Sequence, residues 1–296
     1  MFAPRAAFTL PLSGRDPLVL GPRTLVMGVL NVTPDSFSDG GRALDPDRAL
    51  DLALAMEAAG ADVIDIGGES TRPGAPGLTG REERARLLPV MRRLHRLRIP
   101  ISIDTTKAEV ARFGLDEGAV IVNDVSGLQR DPALGDIVAV RGAPLVLMHM
   151  RGRPADMYAE AHYGDVVADI ARDLTRAIER AVSRGVALDR LILDPGIGFA
   201  KRAAHSLTAL ADLPGLAALG RPLLVGPSRK SFLTAAIGDV PPADRDWATA
   251  AAVTAAVLGG AHIVRVHAVA EMVQVVRTAD MIRTHGSGTG EGRAHP

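Results

Sequence analysis

The sequence of 296 residues contains no cysteine, which excludes disulfides, thiolate metal sites and a cysteine nucleophile. Aromatic residues make up only 3% of the chain, so its core has to be built from alanine, valine, leucine and isoleucine. No apolar run reaches the roughly 18 residues that suggest a membrane span. Basic and acidic residues both number 34, so no overall attraction to nucleic acid or anionic lipid is expected. The lack of cysteine fits a reducing compartment, so a cytoplasmic protein is expected.

One unit repeats along the chain from Thr24 onward: a short apolar strand, a polar end and an amphipathic helix. The predicted strands cover residues 24–30, 61–66, 100–103, 119–122, 144–148, 190–193, 222–225 and 262–266. Eight such units in about 260 residues favour a (β/α)8 barrel. A doubly wound open sheet is the alternative, but it normally has fewer strands and a glycine-rich turn after the first one.

The same pattern divides the chain into three parts. Residues 1–23 are expected to form an N-terminal extension that contains a β-hairpin over 8–20. Residues 24–284 are assigned to the barrel. Residues 285–296 are rich in glycine and serine and are expected to form a flexible tail.

Polar residues end nearly every predicted strand, and this edge is where a barrel of this kind places its active site. These residues are Asn31, Gly67, Gly68, Glu69, Asp104, Asn123, His149, Asp194, Gly226, Ser228, Arg265 and His267. A single Asp or Asn at such a point is usually a helix cap. A whole ring of them indicates a binding site.

The ring suggests what it binds. Asp104 and Asp194 carry carboxylates that can accept paired N–H bonds, and together with the amide of Asn123 they suit the edge of a flat aminopyrimidine-like heterocycle. Lys230 can serve the acceptors of that ring. On the other side, Arg265 and His267 are expected to be cationic and to bind phosphate oxygens. Nearby, the amide oxygen of Asn31 is available to a hard cation such as Mg2+.

Loops and turns add further candidates at the same edge. Residues 33–41 and 69–80 are polar loops rich in glycine, and an arginine in the second, Arg72, suits an anion clamp. Ser228 stands where the N-cap of a helix over residues 231–237 is expected, and Arg229 has a structural ion pair as its alternative role. The turn over residues 194–201 is predicted to place Phe199 beside a bound ring.

Taken together, these segments resemble dihydropteroate synthases, a family of the folate pathway. The matching pieces, in the order and spacing of that family, are LNVTPDSFSDGG, DIGGESTRPGA, ISIDTTKAEV, IVNDVSG, LMHMRGRP, LILDPGIGF, VGPSRKSF and VRVHAV. They cover nearly all of residues 24–284. The resemblance implies a (β/α)8 barrel, in agreement with the strand pattern.

The resemblance also implies roles for individual residues. Asp104, Asn123, Asp194 and Lys230 would hold a pterin ring, with Met148 and Phe199 packed nearby. Asn31 would bind Mg2+ and diphosphate, together with Arg72, Arg265 and His267. The site for 4-aminobenzoate would be shaped by Phe37, Thr71, Pro73, Ser228 and Lys230.

The reaction that the resemblance implies joins (7,8-dihydropterin-6-yl)methyl diphosphate to 4-aminobenzoate, giving 7,8-dihydropteroate and diphosphate. We expect an SN1-like course, with Mg2+-assisted departure of diphosphate and with Asp104, Lys230, Arg265 and His267 as the catalytic residues. The resemblance further implies a homodimer. The nearly apolar helix predicted over residues 244–259 is a candidate interface, and simple coverage by neighbouring segments is its alternative.

Three positions depart from the usual family pattern. Ala200 stands where glycine is usual, Ser206 where asparagine is common, and Ala268 where an aspartate or asparagine often follows the Arg-Val-His triplet. None of them removes a residue assigned to chemistry. Two alternatives therefore stay open: a non-catalytic or weakly active pterin-binding relative, and a pterin-dependent methyltransferase barrel.

Overall fold

The computed structural model of the chain describes residues 2, 5–33, 45–70, 77–152, 158–159 and 161–286. Ten strands lie in this described part: β1 (Phe8–Leu12), β2 (Arg15–Leu20), β3 (Leu25–Asn31), β4 (Val63–Gly67), β5 (Ile101–Asp104), β6 (Ile121–Asp124), β7 (Leu145–Met148), β8 (Leu191–Asp194), β9 (Leu224–Val225) and β10 (Ile263–Val266). The last eight form one parallel sheet in the order β8-β7-β6-β5-β4-β3-β10-β9. A parallel bridge between Leu193 and Leu223 brings its two ends together, so the sheet is a nearly closed barrel.

Helices surround the barrel and follow the strands in alternation, as the sequence predicts. They are α1 (Pro46–Ala58), α2 (Gly80–Leu94), α3 (Ala108–Asp116), α4 (Ala133–Arg141), α5 (Val166–Ser183), α6 (Ala203–Ala211), α7 (Pro214–Ala217), α8 (Thr234–Ile237), α9 (Asp246–Leu258) and α10 (Val269–Gly286), with short 3-10 turns at Leu188–Arg190, Ser231–Leu233 and Pro242–Asp244. Local chemistry fixes several of their starts. Asp45 caps α1, and Thr79 forms a capping box with Glu82 at the start of α2.

Three apolar clusters hold this architecture together. The largest lies between the strands and the helices. A second fills the lower interior of the barrel, where Met27 and Ile192 pack with Leu10 and Leu20 of the N-terminal hairpin. The hairpin therefore closes the end of the barrel at which the strands begin. A third, small cluster lies at the opposite end and contains Met148.

The predicted barrel class and the predicted N-terminal hairpin are confirmed. The barrel strands begin one or two residues later than predicted, and five of the eight end one or two residues later, so that Asp104, Asn123 and Asp194 belong to strands rather than following them. The seventh barrel strand is only two residues long, because Pro222 has no N–H to donate and Leu223 makes only the closing bridge. The domain limits at 23/24 and 284/285 stay a prediction, and residues 287–296 of the predicted tail lie outside the described residues.

Candidate active site

Hydrogen-bonded register brings the predicted residues of three strands to one rim of the barrel. Asn31 of β3 pairs with Gly67 of β4, Gly67 pairs with Asp104 of β5, and Asp104 pairs with Asn123 of β6. A row of register partners thus crosses four neighbouring strands at their carboxyl ends. Gly67 keeps the row open, since a Cβ at this position would lie 3.3 Å from the Cβ of Asp104.

A carboxylate just below this rim connects the predicted residues to one another. Asp65 of β4 is fully buried, and its Oδ2 accepts hydrogen bonds from Asn123 Nδ2 at 3.0 Å and from Arg265 Nε at 2.6 Å. The same guanidinium donates from Nη2 to Asp104 Oδ2 at 2.9 Å. Arg265 therefore bridges two carboxylates, and Asn123 turns its amide nitrogen towards Asp65. Its amide oxygen faces away from that bond, where it can accept an N–H from a ligand.

Burial raises the pKa of both predicted aspartates at the rim. It raises the pKa of Asp104 to about 7, with a further contribution from the negative charge of Asp65, although Arg265 acts in the opposite direction. Burial also raises the pKa of Asp194, which Lys230 partly counteracts. Asp194 Oδ1 accepts a hydrogen bond of 2.7 Å from the backbone N–H of Gly196, which orients the carboxylate at the end of β8.

Lys230 and Phe199 form the next part of the rim. The ammonium group of Lys230 lies 4.2 Å from the centre of the Phe199 ring and donates a hydrogen bond to the carbonyl oxygen of Ile197. Burial lowers the pKa of Lys230 to about 8, against the opposing effect of Asp194. The predicted proximity of Phe199 to the site is therefore supported by a direct contact with a second predicted residue.

His267 and Ser228 lie together beyond Arg265. His267 Nδ1 is 2.9 Å from Ser228 Oγ, which also accepts the backbone N–H of His267 at 3.2 Å. When the Ser228 hydroxyl group donates to Nδ1 of a neutral imidazole, Nε2 carries the ring hydrogen and can donate to a ligand. Burial, followed by the charge of Arg265, lowers the pKa of His267 to about 3. This lowering favours a neutral His267 in the free protein, in contrast to the cation expected from the sequence.

The predicted N-cap role of Ser228 is wrong. The backbone turns at Arg229, whose φ is +60°, and a 3-10 turn over Ser231–Leu233 comes before the four-residue helix α8. Ser228 therefore lies too early to cap this helix, and its hydroxyl group bonds to His267 instead. Arg229 forms the ion pair that was its alternative role, with Asp246 at 2.7 Å.

A buried lysine supports the turn that follows β8. Lys201 is 1% exposed, and its Nζ lies 3.0 Å from the carbonyl oxygen of Gly196, 3.1 Å from that of Phe199 and 2.7 Å from Nδ1 of His149. The other ring nitrogen of His149 lies 3.2 Å from Asp173 Oδ2. Burial lowers the pKa of Lys201 well below its usual range, and it lowers the pKa of His149 to about 4.

Glu69 and His149, which the sequence places in the ring of strand-end residues, are both engaged by other side chains. Glu69 forms an ion pair with Lys107, which also binds Glu83 at 2.5 Å. The Glu83 side chain is fully buried, so this pair of carboxylates shares one ammonium group beside the rim. His149 is held between Lys201 and Asp173. Neither side chain is therefore presented as a free ligand-binding group.

The structure brings ten of the predicted site residues to this end of the barrel, namely Asn31, Asp104, Asn123, Met148, Asp194, Phe199, Ser228, Lys230, Arg265 and His267. The other four, Phe37, Thr71, Arg72 and Pro73, lie outside the described residues. Their roles, and that of the two predicted loops, stay predictions.

Sequence reasoning missed two residues, Asp65 and Lys201, although each left a signal. Asp65 is a charged residue between two isoleucines in a strand expected to be buried on both faces, and such a residue rarely stands there without a partner. Only three of the 34 basic residues are lysines, namely Lys107, Lys201 and Lys230, and each of them follows a barrel strand.

The three departures from the family pattern have local structural consequences. Ala200 has a φ of +48°, which glycine adopts without cost and alanine does not. Ser206 is buried, and its Oγ accepts the backbone N–H of Gly198 at 3.2 Å. Ala268 accepts the first backbone bond of α10, from Met272, so it stands at a cap position without a capping side chain.

The donor set at the rim fits a cation that takes most of its ligands from a substrate. Asn31 is the last residue of β3, and within the described ranges no group of three or more His, Asp or Glu side chains is arranged to hold a metal. Mg2+ commonly keeps water molecules and binds through substrate phosphates. The residues present therefore fit Mg2+ only together with phosphate oxygens.

Comparisons with known proteins agree with this arrangement. The sequence model of the family described as "Pterin binding enzyme" matches residues 27–267. A dihydropteroate synthase from Synechocystis sp. is 48% identical over 263 residues, which cover 88% of this chain and 91% of that protein.

None of the helices in the described ranges combines the length and apolarity needed to cross a bilayer.

Two solved structures are similar in fold and in sequence. The dihydropteroate synthase of Xanthomonas albilineans with 4-aminobenzoic acid has a TM-score of 0.87 at 42% identity, covering 94% of this chain and 99% of that one. The Burkholderia cenocepacia dihydropteroate synthase complexed with 7,8-dihydropteroate has a TM-score of 0.83 at 41% identity, covering 95% and 98%. The chain therefore belongs to the pterin-binding enzymes and, within them, to the dihydropteroate synthases, which are transferases.

Proposed function

We propose that this protein joins (7,8-dihydropterin-6-yl)methyl diphosphate to 4-aminobenzoate and releases 7,8-dihydropteroate and diphosphate. The observation that carries the proposal is the continuous network Asn123–Asp65–Arg265–Asp104 at the rim. In this network, groups that accept N–H bonds lie next to the guanidinium of Arg265, which we propose as a ligand of phosphate oxygens. A substrate with a pterin at one end and a diphosphate at the other requires both kinds of group.

The pterin end of the substrate suits the acceptors of the rim. The carboxylates of Asp104 and Asp194 accept N–H groups of the ring, and Asn123 offers the amide oxygen that its bond to Asp65 leaves free. Lys230 donates to the acceptors of the ring. Met148 and Phe199, which pack in the small apolar cluster at this end, supply apolar contact.

The diphosphate end suits the donors on the other side. Arg265 offers its remaining N–H groups, and neutral His267 offers Nε2–H, because Ser228 occupies its Nδ1. Arg72 is a further proposed anion ligand in the loop outside the described residues. Asn31 would hold Mg2+ through its amide oxygen, together with diphosphate oxygens and water, and that charge offsets the charge developing on the leaving group.

The proposed reaction follows an SN1-like course. The bond between the methylene carbon and the diphosphate oxygen breaks, and its electron pair leaves with diphosphate. The positive charge that remains on the methylene is shared with the dihydropterin ring and is stabilised by the carboxylate of Asp104. The lone pair of the aromatic amine of 4-aminobenzoate then forms the C–N bond, and the proton lost from nitrogen passes to solvent.

The amine is a weak nucleophile, so we infer that it is positioned rather than deprotonated by a strong base. Ser228 and Lys230 are the described residues proposed to shape its site, with Phe37, Thr71 and Pro73 contributed by the loops. We propose that the pterin diphosphate binds first and that its diphosphate completes the site for 4-aminobenzoate. Tight binding of 4-aminobenzoate to protein that lacks diphosphate contradicts this order.

We also propose that the protein acts as a homodimer through the outer face of α9. Trp247 is 90% exposed, and Ala251 and Ala255 follow on the same face at four-residue spacing. The opposite face packs on the barrel, so this exposed apolar face has no partner within one described chain. Sedimentation of the wild-type protein and of Trp247→Glu tests the proposal, which predicts a dimer for the first and a monomer for the second.

A cytoplasmic location also stays a prediction.

The decisive test of the proposed function is product formation by purified protein. The protein is supplied with the pterin diphosphate and Mg2+, with and without 4-aminobenzoate, and dihydropteroate and diphosphate are measured. We expect turnover only with both substrates and a loss of at least about 100-fold in Asp104→Asn. Tight pterin binding without any product instead indicates the non-catalytic relative.

A further inference from the structure

Lys201 is a buried lysine close to the proposed site, with only 1% of the residue exposed, and it contacts the turn that follows β8. Its ammonium group meets three acceptors: two carbonyl oxygens of the turn, from Gly196 and Phe199, and the ring nitrogen Nδ1 of His149. A lysine ammonium has three N–H donors, so this arrangement uses all of them. A side chain at the rim that binds substrate keeps a free donor, whereas Lys201 has none.

The partners of His149 explain why its Nδ1 is an acceptor. Asp173 receives hydrogen bonds from Arg151 Nε and Nη2 at 3.0 and 2.9 Å, which favour its ionised form. An ionised carboxylate 3.2 Å from Nε2 of His149 requires a hydrogen on that nitrogen. The proton of the neutral ring is therefore on Nε2, and Nδ1 is left to accept from Lys201.

The choice of lysine is informative in a chain that uses arginine at 31 of its 34 basic positions. A guanidinium carries its donors in a planar fork, whereas an ammonium directs three donors tetrahedrally from one atom. The three acceptors all lie within 3.1 Å of Nζ. An ammonium group can donate to all three from this one atom, whereas the donors of a guanidinium are spread over a planar fork.

The turn that Lys201 supports carries two of the proposed pterin contacts. Phe199 lies on it, and Lys230 binds both the Phe199 ring and the carbonyl oxygen of Ile197. Ala200 has a φ of +48°, a conformation that is strained for alanine, so contacts that hold the turn have to offset this strain. We propose that Lys201 is a positioning residue, which fixes Phe199 and, through Ile197, Lys230 in the places where they contact the pterin ring.

This inference rests on the proposed function, but its test compares variants with the wild-type protein. Lys201→Met removes all three donors, and Lys201→Gln keeps an amide that can donate to two carbonyls. The matched control is Arg5→Met, at the other end of the barrel. Arg5 is also a buried cation that binds two backbone carbonyls and a carboxylate, those of Gly21, Val257 and Asp280.

Binding of 6-hydroxymethylpterin is measured first, by fluorescence. We expect Kd to rise about tenfold in Lys201→Met, to recover to within about threefold of wild type in Lys201→Gln, and to stay unchanged in Arg5→Met. In steady-state kinetics, KM for the pterin diphosphate rises similarly, while KM for 4-aminobenzoate changes less than about twofold. A Lys201→Met protein that has lost stability like Arg5→Met but binds the pterin like wild type overturns the proposal.

Hydrogen exchange supplies a second measurement that needs no ligand. The amide of Phe199 donates to the carbonyl oxygen of Gly196, and that of Gly198 donates to Ser206. We expect both amides to exchange at least about tenfold faster in Lys201→Met than in Arg5→Met. If Lys201→Met does not fold, Lys201→Gln and Asp173→Asn are compared instead, and unchanged exchange in both overturns the proposal. A wild-type protein that binds pterin but forms no dihydropteroate overturns only the proposed function.

Discussion

Asp65 and Asn123, 58 positions apart in the chain, meet inside the barrel through a hydrogen bond of 3.0 Å. The same carboxylate oxygen receives the Nε–H of Arg265 at 2.6 Å. One buried side chain, out of reach of solvent, thus orients an amide proposed for the pterin and a guanidinium proposed for the diphosphate. Its effect on both ends of the substrate can be tested separately from its effect on folding.

Replacing Asp65 by alanine is expected to lower kcat/KM for the pterin diphosphate by about 100-fold, since Asn123 and Arg265 lose the acceptor that fixes them. The free energy of unfolding is expected to fall by about 3 kcal/mol, because a buried cation loses one of its two carboxylates. Ser102→Ala is the control. Ser102 pairs with Asp65 in the sheet, and its buried hydroxyl group has no hydrogen-bond partner among the described residues. Equal rates in the two variants contradict the role of Asp65.

Asp104 is expected to give both activity and stability a dependence on pH. Its pKa of about 7 in the folded protein lies above the value of about 3.9 in an unfolded chain, so the folded state binds the extra proton between these values. The free energy of unfolding therefore gains a contribution as pH falls from about 7 to 4, and Asp104→Asn removes it. The groups that act on Asp104 are Asp65, Arg265, Glu83 and Asp124.

Activity is expected to change in the opposite direction, since the carboxylate of Asp104 is the form that accepts the pterin N–H. We expect kcat/KM for the pterin diphosphate to decline as pH falls below about 7. Urea denaturation and initial rates between pH 5 and 8 measure the two effects. If the free energy of unfolding has the same slope against pH in the wild type and in Asp104→Asn, the carboxyl group of Asp104 titrates outside this pH window.

His267 is expected to act as a neutral donor, because its pKa lies near 3. Glutamine can replace an uncharged donor but not a cation, so His267→Gln is expected to retain kcat within about tenfold of wild type. His267→Ala is expected to lose about 100-fold, as on removal of one donor to a developing anion. Rates are compared at pH 6 and 8. If the glutamine variant is as impaired as the alanine variant, the imidazole acts as a cation.

Ala200 is expected to tolerate glycine unusually well for a buried alanine. At a φ of +48° an alanine carries about 1–2 kcal/mol of strain, which offsets the loss of a buried methyl group and the greater flexibility of the unfolded chain. Ala200→Gly should therefore leave the free energy of unfolding within about 0.5 kcal/mol of wild type. Ala111→Gly, at a fully buried position inside α3, should lower it by about 2 kcal/mol. If the free energy of unfolding falls equally in the two variants, the turn at Ala200 carries no strain.

The barrel could be predicted from the sequence because its signals are local. Each strand is an apolar run and each helix a periodic one, so all eight repeating units are visible without knowledge of contacts. Where the prediction differs, a specific residue accounts for it. Pro222 shortens β9, and the backbone conformation of Arg229 delays the next helix beyond the reach of Ser228.

The side-chain network could be predicted only in part, because its partners are distant in sequence. Polar residues at strand ends indicate a site, but nothing local shows that Asp65 of β4 binds Arg265 of β10, 200 positions later. The charge of a group such as His267 depends on the same long-range packing. Sequence patterns thus identify the members of the rim, whereas their pairing and protonation require the three-dimensional structure.

The N-terminal hairpin determines from which end of the barrel ligands can reach the site. Leu10, Leu12 and Leu20 fill the barrel where its strands begin and pack against interior side chains such as Met27. Among the described residues, the end of the barrel that the hairpin fills is closed to ligands. We therefore expect both substrates to enter, and both products to leave, at the opposite rim. If diphosphate dissociates slowly from that rim, its dissociation rather than the chemical step would limit the rate of turnover.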